Sequence, residues 1–261
     1  MNWSAPLGDS EAVVINTPTA AALFQDIERR FDASTGFTVA TLNLDHVVKL
    51  RRDPAFRAAY SGHTHVVADG NPVVWLARLA GQHDVRLAPG SELVVPVAGR
   101  AARHGIPVAL FGSTPDSLED AAIQLREQFP DLQVACCLSP PMGFDPAGPA
   151  ADEAIERLQA SGARLVFLAL GAPKQEIFAA RAAKAMPEAG FMSVGAGLDF
   201  LSGRQVRAPK LVRRFAAEWL WRLLGNSDRL FGRYMSCFAI LPGLTLAALQ
   251  SRGTQRRETG A

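Results

Sequence analysis

RLVFLALGAPKQEIFAARAAKAMPEAGFMSVGAGLDF, residues 164–200, holds the pattern that decides the fold: strand, glycine turn, helix, strand, glycine turn within thirty-seven residues. Leu165 to Leu170 is a continuous apolar run, the signature of a strand buried on both faces of a parallel sheet, and it stops at Gly171. Ala172-Pro173-Lys174-Gln175-Glu176 then puts a proline where a first helical turn tolerates one, with helix formers continuing to Lys184. Phe191 to Val194 repeats the strand and Gly195-Ala196-Gly197 the turn, with Asp199 just beyond. Such junctions aim helix N-termini at strand carboxyl ends, where unpaired N–H groups and the positive helix end favour an anion.

The same unit recurs upstream. Phe37 to Leu42 reads as the first strand and leads into Asn43-Leu44-Asp45-His46 and a helix carrying Val47, Val48 and Leu50. Thr41 and Asn43 stand at that strand's end, facing a cleft or, for Asn43, capping the helix. His65 to Ala68 precedes Asp69-Gly70-Asn71-Pro72. A carboxylate there lies at the mouth of the sheet, although the tetrapeptide is also turn chemistry in which Asp69 acts as a cap. Arg86 precedes Pro89-Gly90-Ser91, another helix start, and reads as a phosphate-facing or a simply solvated cation. Ile106 to Phe111 ends at Gly112-Ser113-Thr114-Pro115, a third anion-ready junction opening a helix to about Phe129. Leu132 to Leu138 gives a strand, Ser139 to Pro149 a loop, and Asp152 to Ser161 a helix leading back to Leu165. With a helix over Ala20 to Phe31 in front, these units predict five or six strands. The fold they imply is α/β: a doubly wound, mostly parallel, Rossmann-like sheet with its ligand cleft at the strands' carboxyl ends. Residues 1–12 read as a loose leader.

Composition agrees with a soluble globular chain: 261 residues, 48% hydrophobic and 20% charged. Cys136, Cys137 and Cys237 make neither a disulfide framework nor a paired-thiol metal spacing, so a reducing cytosol is expected. No basic region followed by an apolar core marks a secretory signal, and no uncharged apolar span predicts a transmembrane helix. The net charge of +2 hides an asymmetry: residues 1–203 carry 16 Lys and Arg against 22 Asp and Glu, residues 204–261 carry 11 against 3. This divides the chain into a catalytic and nucleotide-binding unit, 1–203, and a basic, partly helical C-terminal appendage, 204–261. Within residues 204–233, Arg204, Arg207, Lys210, Arg213, Arg214, Arg222, Arg229 and Arg233 stand against only Glu218 and Asp228. Between Pro209 and Leu224, Val212, Phe215, Ala216, Trp219, Leu220 and Leu223 share a helical stripe, with Lys210, Arg214 and Trp221 opposite. Tyr234 to Leu249 is apolar but broken by Pro242-Gly243, which predicts an interfacial or partner-packed segment, and the tail from Ser251 reads as disordered.

Absent signatures narrow the chemistry. Phe200 stands where a dinucleotide fingerprint needs its third glycine, and there is no Gly-Lys-Ser/Thr phosphate loop. No Asp-x-Asp pair and no close His/Cys cluster indicates a divalent metal, so no metal and no cofactor are expected. His46, His63 and His65 receive no role. A nucleotide diphosphate would therefore rely on helix N-termini and arginines.

Taken in order, Thr41-x-Asn43, Ala68-Asp69-Gly70, Arg86 before Gly90, Gly171-x-Pro173-Lys174-Gln175-Glu176, Val194-Gly195 with Asp199-Phe200, Arg207-Ala208-Pro209 and Glu218-Trp219-Leu220-x-Arg222 resemble the WecG/TagA/CpsF glycosyltransferase family. The resemblance spans about residues 37–235. It implies an inverting enzyme that moves a sugar from a UDP-sugar onto a polyprenyl-diphosphate-linked saccharide at the cytosolic membrane face, during capsule, teichoic acid or exopolysaccharide synthesis. The sugar would be an N-acetylmannosamine type, its uronate, or glucose. One departure lies after Trp219: where the family continues Glu-Pro-x-Arg, Gly225-Asn226-Ser227-Asp228-Arg229 keeps only the arginine.

On that reading Asp69 is the general base, Thr41 and Asn43 orient sugar hydroxyls, and Arg86 balances charge on the diphosphate. Gly70, Asn71, Gly112, Ser113, Gly171, Pro173, Lys174, Gln175, Gly195, Ala196 and Asp199 hold the nucleotide, aided by Arg207, Arg222, Arg229 and Arg233. The expected partners are the UDP-sugar, the lipid-linked acceptor and an anionic membrane surface, with no nucleic acid and with room for a homo-oligomer. The appendage is expected both to dock the protein on the membrane and to complete the site. Two rival readings are a non-catalytic nucleotide- or RNA-binding protein whose basic tail tracks phosphates, and an oxidoreductase on the same architecture. Turnover with a UDP-sugar would discard the first, and failure to bind nicotinamide the second.

Overall fold

The computed structural model describes residues 1–4, 12–205 and 227–258, with side chains excepted at 227–230 and 254–258. Six strands form one sheet: β1 (Phe37–Leu42), β2 (His65–Ala68), β3 (Val108–Gly112), β4 (Val134–Leu138), β5 (Leu165–Ala169) and β6 (Gly190–Ser193). Their order is β2-β1-β6-β5-β3-β4 and every pairing is parallel. The helices are α1 (Ala20–Asp32), α2 (Leu44–Arg52), α3 (Pro54–Ser61), α4 (Asn71–Leu79), α5 (Gly90–Arg103), α6 (Pro115–Gln128), α7 (Pro149–Ala160), α8 (Lys174–Ala185), α9 (Gly197–Leu201) and, after the undescribed stretch, α10 (Ser227–Glu258).

Side-chain alternation explains the double winding. Phe37 and Val39 of β1 pack with Leu23 and Ile27 of α1 and Val97 of α5 on one face. Ala40 and Leu42 pack with Val47 of α2, Phe56 of α3 and Val73 of α4 on the other. Both faces are covered, so the strands read as unbroken apolar runs. Only β4, at the sheet edge, alternates between half-buried and exposed. Each fully buried Leu or Phe contributes about 2 kcal/mol. β6, the last strand in sequence, lies in the middle, with Phe37–Val39 pairing Gly190–Met192 on one side and Leu165–Leu168 pairing Gly190–Ser193 on the other.

Four expectations require correction. Met1–Ser4 are not loose. Trp3 is fully buried with Val13, Ile15 and Leu244, because its indole gains more from that apolar cluster than from water, and its backbone N–H donates to Val13 O at 2.7 Å. The Tyr234–Leu249 run is not interrupted: α10 passes through Pro242, held by Cys237, Leu244 and Ala248, which are buried against α2, α4 and the Trp3 cluster. A proline removes one backbone bond and strains its turn, a cost this packing offsets. The tail after Ser251 continues as helix to Glu258. Contrary to the sequence expectation, Phe231–Gly253 is long and apolar enough to cross a membrane by length and composition. The stretch Pro209–Leu224, with its tryptophans, lies outside the described residues.

Candidate active site

Asp69 follows β2 directly. Its N–H donates to Leu42 O at 2.7 Å, so the β1–β2 pairing itself fixes this residue at the carboxyl edge of the sheet. The Ala88 N–H donates to Ala68 O at 2.8 Å and draws the start of α5 alongside. Gly70, with φ of 108°, turns the chain into α4, and Asn43 Cβ stands 3.9 Å from where a Gly70 side chain would begin. Asn43 caps α2, its Oδ1 accepting from the His46 N–H at 3.0 Å. Thr41 is buried on the α5 side, where a Cβ on Gly90 would meet its methyl at 3.3 Å and Val194 Cα at 3.1 Å. That close approach favours glycine and seats the N-terminus of α5 against the end of β6.

The two turns that opened the sequence reading are bonded to each other. Gln175 is buried, and its Oε1 accepts from the Gly195 N–H at 3.1 Å while its Nε2 donates to Glu176 Oε1 at 2.8 Å. Lys49 on α2 donates to Ala172 O at 2.9 Å and pairs with Asp45 at 2.8 Å. The Ala172–Pro173 peptide is cis. α4, α5, α7, α8 and α9 start without a side-chain cap, whereas α2 and α6 are capped by Asn43 and Thr114. Of the uncapped helices, α4, α5, α8 and α9 begin around Asp69 and Gly195, and their N–H groups suit an anionic ligand.

The third junction is tied in through Asp199. Its Oδ1 accepts from Ser113 Oγ and, at 2.8 Å, from Ser117 Oγ, and its Oδ2 accepts from Gln205 Nε2 at 3.0 Å. Gly112 has φ of 110°, and a Cβ there would meet Ala169 C and O at 2.5 Å, so this turn abuts the end of β5. Asp199 thus organises the Ser113 turn with its own carboxylate already engaged.

Behind the edge, a buried polar group fills the space between α2, α3 and α8. His46 Nδ1 lies 3.2 Å from Tyr60 OH. Burial pushes the His46 imidazole down to about 3, so it is neutral. Burial, with Glu176 and Asp69 nearby, raises the Tyr60 phenol well above its ordinary value. Glu176 is fully buried, and burial lifts its carboxyl to about 7 against the opposing bonds from Gln175 and its own backbone N–H.

The structure therefore brings together Thr41, Asn43, Asp69, Gly70, Asn71, Gly171, Pro173, Lys174, Gln175, Gly195 and Ala196 at adjacent strand ends, with Gly112, Ser113 and Asp199 beside them. Arg86 departs from its expected direction: exposed, its Nη1 donates to His83 O at 2.6 Å and Val85 O at 3.1 Å within its own turn. Arg233 on α10 pairs with Asp45 at 2.8 Å, linking the appendage to α2. Arg207, Arg222 and the side chain of Arg229 lie outside the described residues. Sequence reasoning missed Lys49, Tyr60 and the role of Glu176. The signal for Glu176 was present, since it falls on the same stripe of α8 as buried Gln175, Phe178, Ala179 and Ala182.

Among the described residues, no group of three or more His, Cys, Asp or Glu side chains is placed to hold a metal ion. The sequence model of the glycosyl transferase WecG/TagA/CpsF family matches residues 11–258, nearly the whole chain. A transferase family of cell-surface polysaccharide synthesis accounts for a carboxylate at the sheet edge ringed by anion-ready helix ends, and the chain belongs to the WecG/TagA/CpsF glycosyltransferase family.

Proposed function

We propose that the protein transfers a sugar from a UDP-sugar to a hydroxyl of a polyprenyl-diphosphate-linked saccharide, with inversion at the anomeric carbon and without a metal. The observation that carries this reading is Asp69, pinned to Leu42 at the edge where the uncapped N-termini of α4, α5 and α8 converge. The diphosphate lies against those N–H groups and Lys174, where backbone dipoles take the place of a cation. Asp69 accepts the acceptor hydroxyl's proton as the new bond to the anomeric carbon forms and the bond to UDP breaks. Thr41 and the amide of Asn43 orient the sugars, and Asp199 holds the Ser113 turn against the nucleotide. Arg233, with Arg207, Arg222 and Arg229, neutralises the leaving diphosphate or that of the acceptor.

The acceptor is membrane-anchored, and α10 supports a peripheral placement on the inner face. Phe231, Met235, Phe238, Leu246 and Leu249 form an exposed stripe opposite the buried Cys237, Leu244 and Ala248. With no acidic residue between Phe231 and Arg252, that face suits an anionic bilayer. The deciding assay offers the purified protein a panel of UDP-sugars with a lipid-diphosphate saccharide acceptor, in EDTA. Transfer from at least one UDP-sugar that persists in chelator is expected. No transfer from any of them would overturn the reading, and activity lost in EDTA and restored by Mg²⁺ would overturn its metal-independent part.

A further inference from the structure

Glu176 is an ionisable group whose burial opposes ionisation more strongly than its few hydrogen bonds and Lys49 favour it. It is fully buried, its Oε1 accepts from the neutral amide of Gln175, and its Oε2 has no partner among the described residues. The nearest cation, Lys49 on α2, holds Ala172 O and Asp45. Asp45 adds repulsion and is itself bridged by Arg233 of α10. From α3, the neighbour is the un-ionised Tyr60, which is also close to Asp69, and His46 of α2 is neutral. On β6 the buried Ser193 hydroxyl carries no charge and has no partner among the described residues. An unpaired buried charge is costly enough that such a group normally keeps its proton.

Gln175 converts this into geometry. A primary amide has one carbonyl and one NH₂, and here the carbonyl must point at the Gly195 N–H. What fixes the amide that way round is an acceptor on the other side, and Glu176 Oε1 is that acceptor. We propose that Glu176 is a positioning residue that works as the neutral acid, orienting Gln175 so that the Gly171–Gln175 turn and the Gly195 turn are held as one rigid anion-binding edge. Ionisation would leave a buried charge that the bonds from Gln175 and its own backbone N–H do not offset, a deficit for Lys49 or entering water to meet. Recruiting Lys49 takes it from Ala172 O, and water loosens the same turn, so the edge weakens as pH rises. Burial, set against those bonds and Lys49, carries the carboxyl to about 7, which places the change near neutrality.

The role of that edge in binding UDP rests on the function proposed above, so the test separates the two. In the ligand-free protein, Gly195 amide exchange and the infrared C=O stretch of a protonated carboxyl are followed from about pH 6 to 8.5. Wild type is expected to show the protonated band and a protected Gly195 amide at the acid end, both fading together. Glu176→Gln, whose amide copies the neutral acid, is expected to lack the band yet keep Gly195 protected throughout. Glu176→Leu is expected to lose the protection by about tenfold or more. UDP affinity then follows the same pattern: falling with pH in wild type, flat in Glu176→Gln, at least about tenfold weaker in Glu176→Leu. Absence of the band, or a Glu176→Gln profile that falls like wild type, overturns the proposal even if Glu176→Leu does not fold. A protein that shows the Gly195 behaviour but binds no UDP overturns the nucleotide reading and leaves the positioning role standing.

Discussion

At the scale of single residues, the site rests on backbone anchors more than on side-chain cages. Asp69 is held through its N–H to Leu42, so replacing its carboxylate need not disturb the sheet. Asp69→Asn keeps the shape and removes the proton acceptor. It is expected to lower kcat by about 10²–10⁴ while UDP affinity stays close to wild type, as measured by turnover and calorimetry on one preparation. A rate equal to wild type in folded protein would leave Asp69 as a turn residue only. Residue-level reading of the sequence succeeded where the chain's own grammar marks a strand end, as at Asp69 and Gly195. It failed for Tyr60 and Lys49, whose neighbours Glu176 and Ala172 lie more than a hundred positions away. It leaves Arg86 open between a phosphate-facing and a solvated cation, since a guanidinium's direction depends on nearby carbonyls that no pattern of residue types encodes.

At the scale of elements, periodicity finds all six strands within two residues at either end. β6 begins one residue earlier than its apolar run because Gly190 can enter the sheet. The Pro242-Gly243 pair reads as an interruption, yet Pro242 lies inside α10, since a proline is survivable where tertiary packing outweighs one lost bond. α10 is the element whose two faces make separable predictions. Its inner residues Leu244 and Ala248 join the core, whereas Phe238 and Leu246 are 45% and 57% exposed. Phe238→Asp with Leu246→Asp is therefore expected to leave the thermal midpoint nearly unchanged. Co-sedimentation with vesicles containing anionic lipid should drop by about tenfold or more, because each change removes apolar burial and adds like charge. Undiminished sedimentation would show that the outer stripe does not meet the bilayer.

At the scale of the whole molecule, buried titratable groups set the pH at which the fold is firmest. His46 and His63 are pushed down by burial, to about 3 and about 4, and His65 is lowered as well. The unfolded chain takes up these protons near its ordinary 6.5, so their contribution is complete above that pH and is lost as pH falls toward 4. Glu176 has the opposite sign: its folded value of about 7 lies above the ordinary 4.5, so its contribution is lost as pH rises between them. Three groups against one give a thermal midpoint that climbs from about pH 5 and levels near 6.5 to 7, with the climb steeper in Glu176→Gln. A midpoint flat over that interval would contradict the burial of the histidines. The central place of β6 has a further consequence, for the order of events during translation. β6 alone joins β2-β1 to β5-β3-β4, so a nascent chain carries two half-sheets with raw hydrogen-bonding edges until Gly190–Ser193 emerges from the ribosome. The strand that closes that seam also delivers Gly195, so the chain becomes safe from edge-to-edge aggregation and able to receive its anion in the same step.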